Sequence, residues 1–204
     1  MKRIALLAIG MATLFSASAF ADWGFWDASR SWIGLIVSNN TQQYDTNWYS
    51  LWDSGPGTFV GKNFGPFNLN RGHQLIIQAY DTKTWQAGGS QVWSSEYFYT
   101  VYSGARPASP TFTSMGGGWM ADLGGGDKKW GNAAVNMDVL TNTGNNSYTL
   151  EIYGRIYGVE PIGEYKYDNN AGNTSNFYAF FQVVPEPGVL SGAIALVGLW
   201  LRRR

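Results

Sequence analysis

The chain has 204 residues, with 14 basic and 14 acidic side chains, one histidine and no cysteine. It therefore offers neither disulfides nor thiolate ligands, and His73 alone cannot form a histidine cluster around a metal. Between residues 22 and 184 nine basic and thirteen acidic residues remain, a net charge of −4, so the basic footprint of a nucleic-acid binder is missing.

The first 21 residues have the three parts of a secretory signal peptide. Lys2 and Arg3 are charged, Ile4 to Phe15 is mostly apolar, and Ala19-Phe20-Ala21 places small residues two apart. Cleavage is expected between Ala21 and Asp22, after delivery to Sec-type export machinery.

Residues 22–184 are rich in Gly, Asn, Ser, Thr, Tyr and Trp and poor in Leu, Lys and Glu. Helix formers are scarce, and strand and turn formers dominate. Ser31 to Val37 reads as a first strand and Trp48 to Leu51 as a weak second, with a turn at Asp53-Ser54-Gly55-Pro56-Gly57 and another at Gly65-Pro66. Gln74 to Tyr80 carries Leu75, Ile77 and Ala79 on one face, and Gln91 to Tyr102 alternates over the longest stretch. Triple glycines at 116–118 and 124–126 punctuate the middle. Ala133 to Leu140 puts Val135, Met137 and Val139 on one face. Ser147 to Tyr157 points Leu150, Ile152 and Ile156 inward and Glu151, Tyr153, Arg155 and Tyr157 outward, and Phe177 to Val184 closes the region. Short strands with regular turn signals predict an all-β fold, a single antiparallel β-sandwich of jelly-roll or immunoglobulin-like topology, with a closed barrel as the alternative.

The chain ends with Pro185-Glu186-Pro187, an uncharged run from Gly188 to Leu201, and Arg202-Arg203-Arg204. As a helix the run would span roughly 21 Å, short of the ~30 Å hydrocarbon core, so flanking residues or local thinning complete the crossing. The arginines then stay on the cytoplasmic side. The two prolines deny helix and sheet pairing, keeping the motif extended and open to a protease.

In this order, Pro-Glu-Pro, a short helix with Gly188, Ser191, Gly192, Ala193, Ala195 and Gly198, and the arginine cluster resemble the PEP-CTERM sorting signal over residues 185–204. The resemblance implies an exported protein of a Gram-negative bacterium that makes extracellular polysaccharide. It also implies processing near Pro185-Glu186-Pro187 by an exosortase, with retention in the inner membrane until then. A looser resemblance covers residues 48–182. Asn63-Phe64-Gly65, Thr84-Trp85, Tyr97 to Tyr102, Asp127-Lys128-Lys129-Trp130 and Ser147 to Tyr153 are similar to a β-rich module of bacterial surface proteins that has no assigned activity.

Nine tryptophans lie between residues 22 and 184, many for one core. An aromatic face is a flat apolar platform with a polar edge, suited to stacking on sugar rings. Trp48, Tyr49 and Trp52, with the outward Tyr153 and Tyr157, are the candidates for glycan binding, although core filling accounts for most tryptophans. Asp168-Asn169-Asn170-Ala171-Gly172-Asn173 offers oxygen ligands of the kind that hold calcium, but it departs from the EF-hand pattern and reads more simply as a turn. Asp122 and Asp127 flank the second triple glycine. Glu96, Glu151, Glu160 and Glu164 are the only glutamates of the region, and no motif pairs two of them as a glycosidase requires. No G-x-S-x-G elbow occurs.

The expectation is thus a non-enzymatic exported protein with no resident metal or cofactor, divided into a signal peptide (1–21), a β-sandwich (22–184) and a sorting signal (185–204). Its partners would be the export machinery, an exosortase-like enzyme, the membrane and extracellular polysaccharide, and its destination the cell surface or matrix. The alternative reading is a carbohydrate-binding module using exposed aromatic rings, with or without calcium; a glycan-active enzyme is the third.

Overall fold

The computed structural model describes residues 22–26, 31–39, 46–52, 57–160, 162–169 and 176–186. Ala21 with the rest of the leader, Pro187, the apolar run and Arg202, Arg203 and Arg204 lie outside the described residues, as does most of the turn at 53–57. Among the described residues no helix is long and apolar enough to cross a membrane.

The chain is all-β. Among the described residues thirteen strands follow in order: β1 (Asp22–Phe25), β2 (Trp32–Ser38), β3 (Thr46–Ser50), β4 (Asn63–Phe67), β5 (Gln74–Ala87), β6 (Gln91–Ser103), β7 (Thr113–Ser114), β8 (Gly118–Gly124), β9 (Asp127–Asn132), β10 (Met137–Asp138), β11 (Asn146–Glu160), β12 (Ile162–Asp168) and β13 (Phe177–Val183). One short 3-10 turn, Leu69–Arg71, precedes β5. The first sheet runs β3-β2-β5-β9-β8, with β1 and β10 also on β5; the second runs β4-β13-β11-β6-β7, with β12 on β11.

The two sheets close on one apolar core. Ile33, Leu35, Val37, Leu75 and Ile77 enter it from the first sheet, and Tyr97, Leu150, Ile152, Phe177, Ala179 and Phe181 from the second. A satellite cluster of Trp23, Val92, Trp130 and Ile156 fills one end. The inward set expected on β11 is fully buried, because period-two alternation sends those side chains to the core.

The sheets are not wholly antiparallel, since β13 pairs β4 in parallel. The expected turn at Gly65-Pro66 lies inside β4. Proline, lacking an N–H, fits an edge strand, and β4 is the edge of its sheet. The stretch 133–140 forms only the two-residue β10, yet Val135 and Val139 are buried as the alternation requires, their N–H groups donating to Gln78 and Leu75 carbonyls of β5. The triple glycine at 124–126 punctuates as expected, turning β8 into β9, and the residues on either side of it pair as a hairpin that the sequence reading did not place.

Register gives the molecule two distinct ends. β11 begins beside the end of β13 (Asn146 with Val183) and the end of β6 (Tyr148 with Ser103). It finishes beside the start of β6 (Gly158 with Val92). The chain leaves the fold at the first end, where the Val184 N–H donates to the Phe67 carbonyl at 2.9 Å and Pro185 and Glu186 are exposed.

Candidate functional site

The five residues expected to bind glycan are dispersed. Trp48 is exposed on β3, an edge of the first sheet. Tyr49, its neighbour, points the other way and is buried in the core, with its ring edge-on to Phe64 at 5.4 Å. Trp52 also turns inward: its ring packs on Phe177, and its indole N–H donates to Asp168 Oδ1 at 2.6 Å. No Trp48-Tyr49-Trp52 platform therefore exists, because Tyr49 alternates to the face opposite Trp48 and Trp52 lies past the end of β3, where alternation no longer holds.

Asp168 is likewise not the head of a calcium loop. It is buried, and both its oxygens are engaged by Trp52, the Ser31 hydroxyl at 2.6 Å and the Tyr97 hydroxyl. Ser31 Oγ also lies 2.8 Å from Thr82 Oγ1. Desolvation raises the Asp168 carboxyl above its ordinary range, against the lowering effect of these hydrogen bonds. The same burial, next to this carboxylate, drives the Tyr97 phenol well up. Asn170 to Asn173 lie outside the described residues, and the described residues contain no cluster of metal-binding side chains.

Tyr153 and Tyr157 do lie on the outer face of the second sheet, in two sets of rings bridged by Arg155. Tyr153 stacks on Phe98 at 5.0 Å, and Tyr157 meets Tyr165 at 5.1 Å and Trp93 at 6.4 Å. The Arg155 guanidinium lies over both Phe98 and Tyr165 and pairs with Glu96 at 3.0 Å. Glu151, expected in solvent, is covered on this face, gripped by Arg106 at 2.8 Å and by Asn176 at 2.6 Å. Two of the four glutamates thus carry arginine partners.

The aromatic site that the sequence did not reveal is a groove of about 740 Å³ between the start of β6 and the β8–β9 hairpin. Trp93 and Trp119 line it and are 60% and 58% exposed. Both flank β-bulges. The β6–β11 register slips opposite Tyr157 and Gly158, leaving Trp93 unpaired, and the β8–β9 register slips after Trp119. A bulge re-aims a side chain away from the pleat. Along β6 the slip shows as Val92 and Ser95 both buried although three residues apart.

Trp130 is buried at the groove's floor, its indole N–H donating to Thr84 Oγ1 at 2.8 Å. Polar groups complete the lining. Asp122 and Lys128 are cross-strand partners, and the Lys128 ammonium reaches the Val92 carbonyl at 3.2 Å. Ser95 Oγ is buried beneath this lining without a hydrogen-bond partner, an uncommon state. Two flat apolar rings with hydroxyl, carboxylate and ammonium groups between them can stack a sugar ring and bond its hydroxyls.

Of the sorting and processing residues, Pro185 and Glu186 border a shallow hollow with Leu69, Asn70 and Asn145. Asp22 opens β1, and its carboxylate is held below its ordinary range by a hydrogen bond from Lys166 at 2.8 Å. No protein-family model, no curated protein and no solved structure matches this chain.

Proposed function

We propose that this chain is an exported, non-enzymatic surface protein whose β domain holds extracellular polysaccharide in the groove between Trp93 and Trp119. The observation that carries this reading is the pairing of two exposed indoles across one groove above the unpartnered Ser95 hydroxyl. Exposed tryptophans on a shared concavity are costly to leave wet and have an obvious use in stacking.

Residues 22–184 act as one β-sandwich module, the leader exports it, and the Pro-Glu-Pro signal with its apolar run and arginine tail delivers it to an exosortase-like enzyme in the inner membrane. In support of that route, Pro185 and Glu186 are exposed directly after the last strand. The groove's lining holds one carboxylate, Asp122.

The test is titration of the full chain with a panel of polysaccharides, followed by tryptophan fluorescence. Binding should quench or shift the emission, and Trp93→Ala and Trp119→Ala should each weaken it by at least about tenfold, the loss of one stacked ring. A flat titration across the panel with folded protein would refute the groove reading.

A further inference from the structure

We infer that the ligand is the interior of a long polysaccharide chain, which leaves the groove at Trp93 and continues over the outer face of the second sheet along Tyr157, Tyr165 and Tyr167. This inference rests on the carbohydrate reading of the groove and specifies the form of its ligand.

Trp93 belongs to both surfaces: it lines the groove and meets Tyr157 edge-on. From Tyr157 the rings run on to Tyr165, and Tyr153 meets Tyr167 at 6.3 Å. Tyr165 and Tyr167 are 50% and 52% exposed. From Tyr157 to Tyr153 this surface extends about 13 Å along the strand beyond the groove, more than one sugar ring occupies.

The rings are held in place before any ligand arrives. Arg155 is wedged over Phe98 and Tyr165, Glu96 fixes Arg155, and the Ser114 hydroxyl fixes Glu96 at 2.5 Å. A preorganised surface loses little entropy on binding. Its occupant is a neutral, hydroxyl-rich chain for two reasons. The charges on the stripe, Arg155 and Glu96, neutralise each other. The exposed rings are phenols and an indole, which stack through their faces and hydrogen-bond through their edges. The groove lies between two exposed tryptophans from different sheets and continues into the stripe, so the site suits a chain passing through rather than a chain end.

The experiment titrates the full chain with cello-, xylo-, manno- and chito-oligosaccharides, from disaccharide to hexasaccharide. In the series that binds, affinity should climb by about tenfold or more with length. Tyr165→Ala with Tyr167→Ala should bind the disaccharide as the native chain does and lose the climb, while Trp119→Ala weakens binding by about tenfold or more at every length and keeps the climb. The milder Tyr165→Ser, checked by its unfolding curve, serves if the double variant is destabilised. Affinity independent of length, or a climb unaffected by the tyrosine changes, overturns the stripe and leaves the groove standing. A concentration-dependent dimer abolished by Tyr165→Ser would assign the face to a second copy of this chain and also overturn the proposal. No binding in any series removes the groove reading and the stripe with it.

Discussion

At the scale of single residues, Asp168 is the most consequential side chain in the core. It ties Trp52 and Ser31 from the first sheet's strand ends, and Tyr97 of β6, to the end of β12. Because burial raises its folded pKa above the unfolded carboxylate value, the folded state holds this proton more tightly than the unfolded chain does. Its contribution to stability is therefore fully present below the unfolded pKa and is lost as pH rises through the folded one. Asp168→Asn should keep the fold, since the amide oxygen can face Trp52 while the amide donates to hydroxyls that rotate, and it should flatten this stretch of the stability–pH curve. Asp168→Ala strands the buried donors and should cost about 2–4 kcal/mol. Urea unfolding of the three proteins between pH 4 and 8 checks both outcomes, and parallel native and Asn curves would contradict the assignment. Nothing in the local sequence marks this role. Asp168 stands 137 residues from Ser31 and 116 from Trp52, and Asp-Asn-Asn reads as turn chemistry.

At the scale of elements, β11 shows what alternation reveals and what it hides. Leu150, Ile152 and Ile156 were legible as its inward set because period two is a backbone property. Gly154 and Gly158 continue that inward phase, and their meaning was not legible, since it depends on which rings arrive from elsewhere. A methyl group on Gly158 would come within 2.6 Å of the Trp23 indole and 2.8 Å of the Gln91 carbonyl. Gly158→Ala should thus cost about 1–3 kcal/mol by overpacking and loosen β1. In a Trp23→Ala background the penalty should shrink, a coupling that a double-mutant cycle measures; an equal penalty in both backgrounds would place the strain on the Gln91 backbone instead. The hairpin β8–β9 escaped sequence reading for a related reason. Gly124, Gly125 and Gly126 all have positive φ, which serves a tight strand connection as readily as an open loop. Trp119, beside it, was one of nine tryptophans, and only the bulge distinguishes it from a core residue.

At the scale of the whole molecule, the all-β class and seven strands (β2, β3, β5, β6, β10, β11 and β13) were readable from composition and turn signals, whereas β1, β4, β7, β8, β9 and β12 were not, nor was the pairing of β13 with β4, because parallel partners leave no local mark. The export route makes its own prediction. Protein isolated from its host should begin at Asp22 and end near Pro185 or Pro187, outside the inner membrane. Replacing Pro185-Glu186-Pro187 by alanines should leave an unprocessed form retaining Arg204. Intact mass and fractionation decide this, and unchanged processing of the alanine variant would end the sorting proposal.

If the sorting and groove proposals hold, the two ends of the β6–β11 ladder would have different jobs. The chain departs beside Ser103 and Tyr148, while Val92 and the groove stand at the other extremity, about 35 Å away along the strand. A domain moored through Pro185 would present its tryptophans distally, like a boathook held by its handle, so that glycan could be caught beyond the lipid headgroups and cutting the mooring would leave the catch undisturbed.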